Sequence, residues 1–178
     1  MLTLGSLFDG IGGFPLAAVN NGIVPLWASE IEPFPISVTS KHFPQMFHLG
    51  DITKLNGAEL PPVDIIAGGS PCQDLSIASG TRAGLSGARS GLFMEQIRIT
   101  KEMRNADTLR GRSGVSVRPR ILCWENVPYA LRRIRHVLPN SDCWKYTICR
   151  LPHFTDNTDR MKEQTGFFPG KTGPVADL

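Results

Sequence analysis

The sequence lacks the usual marks of export, membrane insertion and metal binding. No window approaches the ~20 consecutive apolar residues that a spanning helix needs, and the composition is 41% hydrophobic and 20% charged, as in ordinary globular chains. No membrane partner is expected. The N-terminal Met1-Leu2-Thr3-Leu4-Gly5-Ser6 has no charged segment ahead of an apolar one, so it does not read as a secretory signal, and a cytoplasmic location is expected. Cysteine is scarce. Cys72, Cys123, Cys143 and Cys149 are widely and irregularly spaced, which argues for reduced thiols. There is no Cys-x-x-Cys pair, and Cys143, Cys149 and His153 have no obvious fourth ligand, so no metal is expected. Internal repeats and low-complexity tracts are absent too.

Net charge is only +3 over 178 residues, but it is uneven. Residues 98–135 hold ten Arg/Lys against three acids, or +7, which leaves −4 for the rest of the chain. Such a stretch suits a phosphate backbone, while charge alone equally describes a solvated helix face. Within it, residues 105–118 are rich in Arg, Gly and Ser and read as a mobile loop.

What is present is an alternation of strands and helices, in a length that suits one domain. Apolar runs at Thr3–Phe8, Ile23–Ser29, Phe47–Leu49, Val63–Ala67 and Arg120–Trp124 predict strands, and helices are expected near Leu16–Val19, Pro33–His42 and Leu92–Arg104. That pattern implies βαβ units in a parallel sheet, whose ligands gather outside the carboxyl ends of the strands. Asp9 with its glycines, Glu30, Asp51, Ser70-Pro71-Cys72 and Glu125-Asn126 each stand just past a predicted strand. Five strand ends thus point polar chemistry at one sheet edge.

Glycines 10, 12 and 13 allow tight chain reversal and close ligand approach, although a simple strand-to-helix turn would use them as well. Glu30, 20 residues beyond Gly10, stands where a carboxylate accepts hydrogen bonds from ribose hydroxyls. The spacing does not fit Gly-x-Gly-x-x-Gly, and no basic residue in the turn could pair with a pyrophosphate. An adenosine without phosphates fits better, and a nicotinamide-dependent oxidoreductase does not. Asp51 could accept from an exocyclic amine or cap a helix. Glu125 follows an apolar strand, so desolvation should raise its pKa; as a structural group it would need Arg118 or Arg120 as partner. A lone cysteine such as Cys72 is most often buried and inert, and its meaning depends on these neighbours.

Phe8-Asp9-Gly10-Ile11-Gly12-Gly13-Phe14, Gly69-Ser70-Pro71-Cys72-Gln73 and Glu125-Asn126-Val127, in that order, resemble the cofactor turn, nucleophile turn and cytosine-contacting motif of the DNA cytosine-5 methyltransferases. The resemblance runs from about Leu2 to Pro128 and includes Glu30, Gly50-Asp51-Ile52 and Ser90-Gly91-Leu92-Phe93. It implies an α/β fold with a parallel, doubly wound, Rossmann-like class I methyltransferase sheet. S-adenosylmethionine would lie over Phe8, Gly10 and Gly12, with Glu30 on the ribose and Asp51 near the adenine amine. Ile31, Ile52, Pro71 and Leu92 would line that pocket. Cys72 would attack C6 of a cytosine flipped out of double-stranded DNA, Glu125 would hold the base at N3 and its 4-amino group, and Asn126 would brace the loop. The segment from Gln73 to Arg89, with three glycines, is similar to the family's closing loop.

The likeness stops near residue 128. The Gln-x-Arg-x-Arg element, the target-recognition region and the C-terminal Gly-Asn-type motif of the family have no counterpart here. The expected organisation is therefore a partial cofactor-binding and catalytic domain at 1–128, an irregular, unrecognised stretch at 129–178, and a C-terminal part of the fold that is incomplete. A second polypeptide supplying target recognition is the corresponding expected partner, and a catalytically silent cofactor- or DNA-binding remnant is the alternative function.

Overall fold

A computed structural model of the chain describes residues 1–71 and 91–125, together with the backbone of a strand at 145–149. The elements are β1 (Thr3–Leu7), α1 (Gly13–Asn20), β2 (Val24–Ser29), α2 (Pro33–His42), β3 (Phe47–His48), β4 (Ile65–Gly68), α3 (Gly91–Leu109), β5 (Ile121–Glu125) and β6 (Lys145–Cys149). All six strands form one parallel sheet in the order β3-β2-β1-β4-β5-β6. The chain steps outward from β1 to β3, then returns to the other side of β1 and steps outward again. This is the Rossmann-like, doubly wound α/β arrangement expected, and its direction reverses between β1 and β4. β6 lies within 129–178, the stretch expected to be irregular.

Right-handed crossovers place α1 and α2 on one face of the sheet and α3 on the other. The α3 face holds the main core. Phe93, Ile97, Ile99 and Met103 pack there against Leu7, Trp27, Ile66, Leu122 and Trp124, with Ile52, Leu60 and Val63 closing the edges. The α1 face has a smaller cluster of Leu4, Ala18 and Ala67, flanked by Phe14, Ile23, Ile65 and Cys123. Burial on both faces explains why Ile65-Ile66-Ala67 reads as a continuous apolar run instead of an alternating one.

Two expectations are corrected in the basic stretch. Helix α3 does not end at Arg104 but continues to Leu109, into the stretch 105–118 expected as mobile loop, and the remainder of that stretch is tied down by the buried carboxylate of Asp107. That group accepts from the Arg118 backbone N–H at 2.8 Å, pairs with the Arg118 guanidinium at 3.1 Å and lies 3.5 Å from Arg112. Burial alone would push the Asp107 carboxyl up, but its bonds to Arg118 and the charge of Arg112 hold it below the ordinary range. Arg104 is buried and donates to Val117 O and Pro119 O, Arg110 to Ala58 O, and Arg120 pairs with Asp64 at 2.9 Å. These arginines serve the fold's internal ties.

Candidate active site at the carboxyl ends of the strands

Parallel register sets the site. Leu7 aligns with Ser29 and with Gly68, Gly68 aligns with Trp124, and Ala28 aligns with His48, so the segments leaving β1, β2, β3, β4 and β5 emerge at one edge. The turns after β1 and β4 flank the point where strand order reverses, which is where an open α/β sheet forms its ligand crevice.

The turn after β1 is backbone-rich. Phe8 has φ 53°, an unusual left-handed conformation for a side chain of its size, while Gly10 (54°) and Gly12 (90°) adopt the same region without strain. Gly10 N–H donates to Glu30 Oε2 at 2.8 Å, and Glu30 Oε1 accepts from the N–H groups of Ile31 (2.7 Å) and Glu32 (3.0 Å). Glu30 therefore locks the glycine turn to the end of β2. With about two acceptor positions per oxygen, one place on Oε2 is left for a ligand hydroxyl.

Asp9, placed at the sheet edge by the sequence but given no role of its own there, is a buried acid of the site. It is 5% exposed; the Ser6 hydroxyl donates to Oδ1, and Oδ2 has no partner among the described residues. Burial pushes its carboxyl up to about 6, against the Ser6 hydrogen bond and with help from the nearby negative charge of Glu30. An acid between an apolar strand and a glycine turn was the signal available for it.

After β3, Asp51 caps the short helical turn Ile52–Lys54. Its Oδ1 accepts from Thr53 N–H at 3.0 Å and Thr53 Oγ1 at 2.8 Å, and Oδ2 lies 3.7 Å from Lys54 Nζ. The capping role left open by the sequence is thus present. Bonds from Thr53, backbone first, hold the carboxyl below its ordinary value, and Oδ2 remains as an acceptor beside the crevice. Ile52 lies in the main core, Ile31 and Pro71 are exposed, and Leu92 is half-buried at the start of α3.

The ends of β4 and β5 are latched together. Trp124 Nε1–H donates to the buried Ser70 Oγ at 3.0 Å, while a Cβ on Gly69 would stand 3.0 Å from Glu125 Oε2. The missing side chain at 69 gives the Glu125 carboxylate its room. Burial raises the Glu125 carboxyl, and its two candidate structural partners are committed elsewhere, Arg118 to Asp107 and Arg120 to Asp64. Cys72 and Asn126 lie outside the described residues; in sequence they directly follow Pro71 and Glu125.

The family model for C-5 cytosine-specific DNA methylase matches residues 2–138, which extends past Pro128. The chain is 35% identical over 134 residues to a DNA N-6-adenine-methyltransferase of Escherichia phage P1, covering 73% of this chain and 17% of that protein. It is 38% identical over 127 residues to type II methyltransferase M2.BsuMI of Bacillus subtilis (strain 168), covering 71% and 29%. With type II methyltransferase M.HhaI of Haemophilus parahaemolyticus the identity is 36% over 98 residues, covering 55% and 29%. The chain spans less than a third of the length of each of these relatives.

Proposed function

Because the chain belongs to the C-5 cytosine-specific DNA methylase family, we propose that it transfers a methyl group from S-adenosylmethionine to C5 of a cytosine in DNA, with Cys72 as nucleophile. The observation that carries this reading is the shared sheet edge, where a desolvated Glu125 stands beside the turn that leads into Cys72. The crevice suits the cofactor. Acidic acceptors at Glu30 and Asp51 flank the exposed backbone of Gly10 and Gly12, the turn has no cation for a pyrophosphate, and Ile31, Pro71 and Leu92 offer apolar surface.

S-adenosylmethionine supplies an electrophilic methyl group when bound. Glu30 orients the ribose through its remaining acceptor position, Asp51 Oδ2 takes the adenine amine, and Phe8 covers the cofactor. Ile52 holds the Asp51 turn through the core. At the other side of the crevice, C5 of cytosine is too weak a nucleophile to react alone. The Cys72 thiolate adds to C6, forming an S–C6 bond and moving the electron pair toward C5, which then takes the methyl group as the sulfonium–methyl bond breaks and S-adenosylhomocysteine is left as the neutral thioether. Loss of the C5 proton and expulsion of the thiolate restore the ring and free Cys72. Glu125 keeps its proton to higher pH than an exposed glutamate, so it can donate to N3 while accepting from the 4-amino group, which makes C6 more electrophilic. Asn126 braces this segment. The target carbon is closed off in a stacked duplex, so the base must be flipped out to meet these groups.

DNA carrying 5-fluorocytosine tests the reading, because fluorine cannot leave as the proton does and the enzyme stays attached. With S-adenosylmethionine, the expected result is a covalent protein–DNA species that is lost in Cys72→Ser. Cofactor binding without trapping, both alone and with an added target-recognition subunit, would identify the chain as the silent binding remnant instead.

A further inference from the structure

The structure ties the Asp51 turn to α3 through one side chain, and all five N–H donors of that side chain are used. Arg98 donates from Nη2 to Ile52 O at 3.0 Å and from Nη1 to Leu55 O at 2.9 Å. The same guanidinium is held by Glu95, through Nε at 2.8 Å and Nη2 at 2.6 Å, and by Glu102 through Nη1 at 2.9 Å. Glu102 in turn accepts from Gly57 N–H at 2.8 Å. A Cβ at Gly57 would overlap the carbonyl of Ile99, so the strap from Asp51 to Gly57 lies directly on the helix. Leu92, Glu95, Arg98 and Glu102 follow one another at three- and four-residue steps, which places them along one stripe of α3.

From this we infer that Arg98 is a positioning residue for base selection in the cofactor site. It rests on the reading of Asp51 as acceptor of the adenine amine. Thr53 sets the rotation of the Asp51 carboxylate, but Arg98 sets where the whole turn stands relative to α3, which begins beside Leu92. A guanidinium is suited to this because its rigid fork reaches two carbonyls while two carboxylates hold it from behind. With the fork removed, Leu55 O loses its Arg98 donor and Ile52 O keeps only the Leu55 N–H, at 3.2 Å, so the strap can shift on the helix. Asp51 Oδ2 then no longer stands at one distance from the base. Such a shift weakens recognition of the amine more than the overall affinity, because ribose and backbone contacts at Glu30 and the glycine turn are untouched.

The test compares binding of S-adenosylhomocysteine with that of its inosine counterpart, in which a 6-oxo group replaces the 6-amino group, by calorimetry on the full chain. Wild type should prefer the adenosine compound by about tenfold, the ratio that one well-placed hydrogen bond supplies. In Arg98→Met the ratio should fall to about two, and Arg98→Lys, which keeps one donor to a carbonyl, should recover part of it. Gly57→Ala, which lifts the strap by sterics and leaves the charges in place, should also lower it. Thermal unfolding of each variant verifies that it is folded at the assay temperature. A ratio lost in Asp51→Ala but kept in Arg98→Met overturns the role of Arg98 and leaves the cofactor reading standing. A wild-type chain without preference, or a ratio kept in Asp51→Ala, overturns the reading of Asp51 on which the inference rests.

Discussion

The two faces of this sheet are built differently. On the α3 face, large side chains such as Trp27, Phe93, Ile97 and Met103 are fully enclosed, and Arg98, Arg104 and Arg118 tie the surrounding loops to the helix or to one another. On the α1 face, an eight-residue helix covers the small cluster around Leu4 and Ala67, Leu16 (55% exposed) and Val19 (50%) face outward, and the buried acid Asp9 lies close by. One face acts as scaffold. The other, thinly covered face carries the glycine turn, where backbone must stay bare for a ligand, and a polar group there costs stability that the thick core supplies.

The contrast can be broken by mutation, and Phe93→Ala is the strongest attempt. Phe93 is 1% exposed and its ring lies 4.6 Å from that of Trp124, so truncation should cost about 3–5 kcal/mol and lower the denaturant midpoint with an unchanged slope. Leu4→Ala, on the thin face, should cost about 2–3 kcal/mol, because few large neighbours surround the cavity. Equal losses for these two would erase the distinction between the faces.

The smallest effect has the opposite sign. The folded Asp9 carboxyl titrates near 6 against 3.8 as its ordinary value, so its contribution favours folding below about 3.8 and is lost as pH rises through 6. Asp9→Asn should therefore raise the melting temperature at pH 7–8 by roughly 3–6 °C, from about 1–2 kcal/mol after solvent screening, and leave it unchanged near pH 3.5. Melting curves across that range check the sign. A variant less stable than wild type at pH 8 would mean that ionised Asp9 has a cationic or donating partner in the folded chain.

Much of this architecture was legible in local sequence. The bounds of α2 and the positions of β1, β2, β4 and β5 follow from apolar runs ended by glycine, proline or an acid, because local propensity and burial agree there. The order in which the strands pair and the ties between distant residues were not legible. Arg120 meets Asp64 and Arg98 meets Leu55 across tens of residues, so the basic stretch looked like surface charge until its partners were seen. Glu30 and Asp51 were identified as acceptors, but composition could not tell that backbone N–H groups already take three of the four acceptor positions of Glu30, or that Thr53 takes both on Asp51 Oδ1. Cys72 and Asn126 rest on motif and chain adjacency alone.

The most direct measurement of the central claim is the identity of the methylated base. DNA incubated with the chain and S-adenosylmethionine labelled in its methyl group is digested to nucleosides and separated. The account predicts label in 5-methylcytosine, abolished by Cys72→Ser. Label in N6-methyladenine, the product named by the phage P1 relative, or 5-methylcytosine formed equally well by Cys72→Ser, would contradict it.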